Sequence, residues 1–456
     1  MTMSRKLNCL LTAAAIATAV MAGCNKPEPE KEPDPVELED LKLSVPVKDN
    51  WVFSGRPTLT ISVENPNPVA AKAEVKVRIA TDTKKEVTTF TQAAEVPAKG
   101  SMDIDMTVPE ELAPGFYKAS CYVNNRSARM FNFGVSPEKI VSAPDKQADF
   151  DTFWDATLTQ LENVEMNATL TELPDRSSSA VKVYLVEMQS IPDGLEGDPV
   201  LIHGYYLEPQ DGQKHPVLIH YFGYDDLKPG GKLDCPSGGS KAEFAEFYLS
   251  TRGQIINNRT AAQRKDGVEK DFVNTYGDWF AFQFGDRDGY YYRGAFMDCV
   301  QAVRFMATRQ TSDMDNVFAE GSSQGGAFSY AAAALSPYPL RAIAPCVAFL
   351  GDFPDYFSIV DWPANVARKN QGSMTDGEMY TFLSYFDTKN LATRITCSVI
   401  ACSGLQDGTC PPHTNTAPYN NLTVEDKQMF YYPQLSHQIP GDWNSKYMKF
   451  FKDRIR

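Results

Sequence analysis

The sequence predicts an α/β fold, a mostly parallel sheet flanked by helices, preceded by a small all-β sandwich. Three observations predict it. From about Leu41 to Val135, short alternating runs recur between turn signals, the pattern of antiparallel strands. From Lys139 onward, strand-like runs alternate with helical segments, which favours a parallel sheet covered on both faces. Between them in kind sits one sharp switch. The apolar run Val317-Phe318-Ala319 passes through Gly321-Ser322-Ser323-Gln324-Gly325-Gly326 into the alanine-rich segment Ala327 to Leu335, where Ala and Leu favour helix.

The N-terminal residues 1–24 read as a secretion signal. Arg5 and Lys6 precede an apolar stretch from Leu10 to Ala22, too short to span a bilayer and followed by small residues. Val20-Met21-Ala22-Gly23-Cys24 resembles a bacterial lipobox, so Cys24 is expected to carry lipid; the alternative is an ordinary signal with an incidental cysteine. Residues 25–40, rich in Pro and Glu, read as an extended tether. The protein is therefore expected in the bacterial cell envelope, lipid-anchored and facing the periplasm or the cell surface. A net charge of −14 argues against nucleic acid or anionic lipid as a partner and says nothing about a neutral sugar. Without Cys9 and Cys24, seven cysteines remain. An odd number leaves at least one thiol unpaired. Cys397 and Cys402 read as small buried hydrophobes, and no Cys/His spacing suggests zinc.

Residues 41–137 read as an Ig-like sandwich without a helical segment. Its strands are Thr58 to Val63, Ala73 to Ile79, Met102 to Val108 and Tyr117 to Val123, separated by turns such as Asn65-Pro66-Asn67-Pro68 and Ala113-Pro114-Gly115. Trp51 is its one tryptophan. A sugar platform wants more exposed aromatics, so spacing is favoured over carbohydrate binding as its role.

Residues 138–456 carry the chemistry. Gly-x-Ser-x-Gly at a strand-to-helix switch is the nucleophile elbow of the α/β-hydrolase fold, so Ser323 reads as a nucleophile. The N–H of Gln324, opening the helix, points toward a developing oxyanion. A chance five-residue match in a loop is the alternative. There are five histidines, and in this fold the order is Ser, acid, His, which leaves His413 and His437. His413 follows Cys410-Pro411-Pro412 and reads as a helix-start residue. His437 follows the strand-like run Met429 to Tyr432 and is the expected base; its other reading is a surface loop histidine. The acid should follow the penultimate strand, read as Ile395 to Ala401. Asp407 in Ser403-Gly404-Leu405-Gln406-Asp407-Gly408 is chosen over Asp387 and Asp352; its other reading is a plain Asp-Gly turn. The second oxyanion donor is assigned to the Tyr224 N–H, after the strand Pro216 to Phe222. An insertion between Phe357 and Leu383, with Trp362, is expected to form part of a pocket roof.

These and other segments together resemble the acetyl xylan esterase and cephalosporin-C deacetylase family. They include Phe150-Asp151-Thr152-Phe153-Trp154, His203 to Pro209, Phe222-Gly223-Tyr224, Arg252-Gly253-Gln254, Tyr290 to Arg293 and Asp298 to Arg304. The Ser-Gln-Gly-Gly elbow, Phe349 to Pro354, Tyr385-Phe386-Asp387, Asn390-Leu391-Ala392, Gly404 to Asp407 and Cys410-Pro411-Pro412 complete the match. The resemblance implies an α/β-hydrolase that removes acetyl groups from acetylated xylo-oligosaccharides or related esters, with Ser323, Asp407 and His437 as triad and the Tyr224 and Gln324 N–H groups as oxyanion hole. Acyl transfer by such a triad requires no metal or organic cofactor. The resemblance also suggests homo-oligomers, up to hexamers, which the β-unit and tether could block. The chain departs from the family pattern at Ser322, Ile255 and Gln438-Ile439-Pro440-Gly441, all of which bear on pocket shape rather than on a catalytic group. Competing expectations are a peptidase, long-chain lipase or broader carboxylesterase on the same fold, and a non-catalytic glycan-binding surface lipoprotein. A zinc deacetylase lacks ligands.

Overall fold

A computed structural model describes residues 38–224, 236–254 and 276–456. The signal, Cys24 and most of the tether lie outside the described residues, as do Cys235 and Ile255. Among the described residues no helix is long and apolar enough to cross a membrane.

The front of the molecule is two antiparallel sheets, built from β1 (Lys42–Ser44), β2 (Val52–Phe53), β3 (Thr58–Glu64), β4 (Ala71–Thr81), β5 (Glu86–Val96), β6 (Ser101–Thr107), β7 (Gly115–Val123) and β8 (Ser127–Val135). Their orders are β1-β3-β6 and β2-β8-β7-β4-β5, only β2 and β8 pairing in parallel. Period-two alternation does the folding. Val75, Val77 and Ile79 of β4, Ala119 and Cys121 of β7, and Ile61 and Val63 of β3 turn inward and are fully buried. Four strands expected from the sequence are present. β1, β2, β5 and β8 were not expected, and a one-turn 3-10 helix at Asp49–Trp51 stands where no helical segment was expected. Trp51 is buried against Phe131 at 4.4 Å between ring centroids, so it offers no sugar platform.

The rest is one nine-stranded sheet: β9 (Thr169–Glu172), β10 (Val181–Ser190), β11 (Val200–Pro209), β12 (His215–Tyr221), β13 (Ala245–Ser250), β14 (Ser312–Ser322), β15 (Ala342–Cys346), β16 (Ser398–Gly404) and β17 (Lys427–Tyr432). The order is β17-β16-β15-β14-β12-β13-β11-β10-β9. It is parallel from β13 to β17 and antiparallel at the β11, β10 and β9 side. Continuous apolar strands fit a sheet covered on both faces. Val317, Ala319, Ile343, Val399 and Ala401 pack on one face with the helices Tyr291–Ala307 and Gln324–Leu335. Phe318, Ala342, Ala344, Ile400 and Cys402 pack on the other under the helix Trp443–Lys452. This is the α/β-hydrolase fold that the sequence predicts.

The bounds of β14 and β16 differ from expectation. β14 extends well beyond Val317 to Ala319 in both directions. The penultimate strand starts at Ser398, not Ile395: Ala392–Arg394 is a 3-10 turn, and Ile395 is buried as the chain leaves it. Residues 40–456 form one compact unit, and Leu405 of the α/β part is buried within the core cluster of the β-sandwich.

Candidate active site

Ser323 sits at the junction of β14 and the helix Gln324–Leu335 with φ 57° and ψ −122°, a region costing a residue other than glycine about 1–3 kcal/mol. Hydrogen bonds hold it there: its N–H donates to the Cys346 carbonyl at 2.9 Å, and its carbonyl accepts from the Phe349 N–H at 3.0 Å. The glycines on either side are required by close approach. A Cβ on Gly321 would stand 2.4 Å from the Gly325 oxygen, and one on Gly325 would stand 2.3 Å from the Tyr221 oxygen. The same approach brings the helix start against the end of β12 and the loop that carries Tyr224.

The structure brings Ser323, His437 and Asp407 into one hydrogen-bonded row. His437 Nε2 lies 3.0 Å from Ser323 Oγ, and its Nδ1 lies 2.8 Å from Asp407 Oδ2. Asp407 is buried, and its Oδ1 accepts from the Thr409 and Cys410 N–H groups, each at 2.8 Å. Its carboxylate is thereby fixed from three directions. The acid loop and the histidine loop are laced together: the Leu405 N–H donates to the Tyr432 carbonyl and the Gln406 N–H to the Leu435 carbonyl, each at 2.9 Å. Gly404 permits this, since a Cβ there would meet the Leu435 and Ser436 oxygens at 2.5 and 2.6 Å.

The other candidates go elsewhere. His413 lies in the first turn of the helix Pro412–Asn420, its Nε2 3.0 Å from both Asp352 Oδ2 and Asp355 Oδ2. Asp387 caps the helix Thr388–Leu391 and accepts from the Asp352, Phe353 and Lys389 N–H groups; burial pushes its carboxyl up to about 7. Asp352 is held by Lys389 at 2.9 Å, by Ser142 and by His413. Asp352, Asp355 and His413 could bring metal-binding atoms within 4.8 Å of one another, but the Lys389 ammonium and the His413 ring already engage the carboxylates.

Tyr224 lies among aromatic rings: Trp279 at 5.0 Å, Trp362 at 5.7 Å and Phe349 at 6.4 Å between centroids. Its hydroxyl donates to Asp278 at 2.8 Å. Trp362 stacks on Phe349 at 5.1 Å, and the insertion, which starts within the helix Phe353–Ile359, forms the helices Ala364–Asn370 and Asp376–Leu383. Sequence reasoning missed three supports of the site. Gln254 Nε2 donates to the Gly223 carbonyl at 3.0 Å, tying down the Tyr224 loop. Tyr292 donates to Gln324 Oε1 at 2.9 Å. Asn132 of the β-sandwich and Gln406 exchange hydrogen bonds, the Asn132 N–H donating at 2.8 Å and Gln406 Nε2 returning one at 3.0 Å. Gln254 and Gln406 stand within segments that the resemblance singled out; Asn132 carries no local signal.

A family model described as acetyl xylan esterase (AXE1) matches residues 138–454. Acetyl esterase Axe7A of Xylanibacter ruminicola is 24% identical over 431 residues, covering 92% of each chain. Among solved structures, an acetyl xylan esterase from Paenibacillus sp. R4 aligns with a TM-score of 0.57 at 25% identity, over 70% of this chain and 98% of that one. Acetyl xylan esterase 1 from Thermoanaerobacterium sp. JW/SL YS485 aligns at 0.56 and 25% identity, with the same coverage.

Proposed function

The chain belongs to the acetyl xylan esterase family, and from that premise we propose that it deacetylates acetylated xylo-oligosaccharides or related acetylated sugars through an acetyl-enzyme on Ser323. The protein is a carboxylic ester hydrolase. The observation that carries the mechanism is the row from Ser323 through His437 to Asp407, at 3.0 and 2.8 Å.

His437 Nε2 accepts the Ser323 proton as Oγ attacks the acetyl carbonyl. Asp407 accepts from the Nδ1–H, which fixes the tautomer and stabilises the imidazolium. The oxyanion is assigned to the Gln324 N–H, whose place in the first helical turn leaves it without an intrahelical acceptor, and to the Tyr224 N–H. The sugar oxygen leaves with the proton from His437. Water, deprotonated by the same ring, then hydrolyses the acetyl-enzyme.

The test is acetate release from acetylated xylo-oligosaccharides. Ser323→Ala should lose about 10³-fold or more in kcat with the fold intact; near-normal turnover in that variant would defeat the assignment. Lipid attachment at Cys24, with the enzyme held in the cell envelope, is part of the same proposal. Its support is the sequence of residues 1–24, and metabolic labelling with a fatty acid tests it.

A further inference from the structure

Beside the acid loop lies a cavity of about 510 Å³, within the range of small-molecule sites. One wall is the outer face of the β-sandwich. Because Val77, Ile79, Ala119 and Cys121 point into the sandwich core, their neighbours Arg78 of β4 and Lys118 and Tyr122 of β7 point out of it, into the cavity. The opposite wall is Asp407, Gly408, Pro411 and Pro412, with Ile359 and Val360. These come from the segments that follow β15 and β16, at the same sheet edge as Ser323 and His437. In open α/β sheets, ligands bind at that edge.

The lining carries three cationic side chains. Arg78, Lys84 and Lys118 face the space, in a chain of net charge −14. Two carboxylates also line it. Asp407 has both oxygens engaged by His437 and by backbone N–H groups. Asp82 stands 3.9 Å from His413, whose ring the carboxylates of Asp352 and Asp355 hold charged although burial opposes it. Arg78 also pairs with Glu86 at 2.7 Å, whereas Lys84 and Lys118 are exposed. The exposed Met130 side chain, also in the lining, offers apolar surface to the C–H face of a sugar, beside the half-buried Tyr122 ring, over which the Lys76 ammonium stands at 5.1 Å.

We propose that this cavity is a glycan subsite for a carboxylate-bearing sugar, a uronic acid residue, on the same chain whose acetyl ester reaches Ser323. The inference rests on the esterase reading and deepens it. The β-sandwich is then a substrate-binding wall rather than a spacer.

The experiment compares three substrates: acetylated xylo-oligosaccharides bearing a glucuronic acid branch, the same oligosaccharides without it, and a small aryl acetate. The variants are Lys118→Glu and Lys118→Gln, at an exposed position outside the reaction machinery. Lys118→Glu should raise KM for the acidic oligosaccharide about fivefold, Lys118→Gln less, both at unchanged kcat. Aryl acetate kinetics should stay unchanged. The wild type should favour the acidic over the neutral oligosaccharide, and added salt should erase that preference. Equal KM for acidic and neutral oligosaccharides in the wild type would overturn the proposal. So would a loss in Lys118→Glu that is the same for both. A wild type inactive on every acetyl ester would instead defeat the esterase reading.

Discussion

Replacing Gly404 by alanine tests how tightly the two loops of the site are gauged. The added Cβ would stand 2.5 Å from the Leu435 oxygen, 2.6 Å from the Ser436 oxygen and 3.0 Å from the Leu435 carbonyl carbon. All three are backbone atoms, so no flexible side chain can swing aside. To restore an ordinary contact of 3.4 Å, the histidine loop must recede by about 0.9 Å. His437 follows Ser436 directly, and its bond to Ser323 is 3.0 Å. If that retreat passes through in full, the Ser323–His437 distance exceeds 3.5 Å and ceases to be a hydrogen bond. A misplacement of this size costs about 10²-fold in rate, and the crowding itself costs about 1–3 kcal/mol of stability. The assay is kcat on a small aryl acetate, read beside the thermal midpoint. Gly408→Ala is the control, because a Cβ there meets nothing within 4 Å; it should be silent in both readouts. A Gly404→Ala enzyme with kcat within about twofold of wild type would refute the claim that this close approach sets the His437 position.

Gln254→Ala removes the amide that holds the Gly223 carbonyl at 3.0 Å. The Tyr224 loop should loosen, and kcat on aryl acetate should fall about tenfold, with KM little changed; an unchanged kcat would show that the loop holds itself. His413→Gln addresses stability. Burial opposes the charge of His413, but hydrogen bonds to Asp352 and Asp355 hold the ring up to about 10. Its contribution is therefore full below about pH 6.5, the ordinary value, and is lost as pH rises through about 10. The wild-type melting temperature should fall across that window more steeply than that of His413→Gln. Below pH 6.5 the variant should be less stable by about 3 kcal/mol, because the buried Asp352 carboxylate loses a partner. Parallel pH profiles would remove His413 from the account.

The elbow and its partners were legible in the sequence because each is bound to a local rule. Gly321 and Gly325 betray a tight turn, the order of Ser, acid and His is fixed along the chain, and histidines are few. Boundaries were less legible. Ile395 is as apolar as a strand residue, yet it is buried just outside a 3-10 turn, and composition cannot separate the two. β5 escaped notice because it is an edge strand of the larger sheet, with most of its side chains exposed or half-buried; its Thr, Gln and Glu residues carry little alternation. Nothing local marks Gln254 as a brace for Gly223, or Asn132 as a partner of Gln406 across 274 positions. Those contacts exist only once the sheet has closed.

The β-sandwich is where local reading falls furthest short. Its composition suggested spacing, and the burial of Trp51 removes the one tryptophan that argued otherwise. Position argues differently. Leu405, two residues before Asp407, is fully buried in a cluster whose other members belong mainly to the sandwich. Gln406, the next residue, bonds to Asn132 and to the Pro433 carbonyl, joining the sandwich to the loop that carries His437. A unit that only spaced the enzyme from a membrane would have no reason to bury an apolar side chain from the acid loop. Burying Leu405 contributes about 2 kcal/mol, and that free energy is realised only when the acid loop adopts the conformation that presents Asp407 to His437. The sandwich therefore helps set the shape of the loop that carries Asp407, and the hydrolase fold here is not independent of what precedes it in the chain.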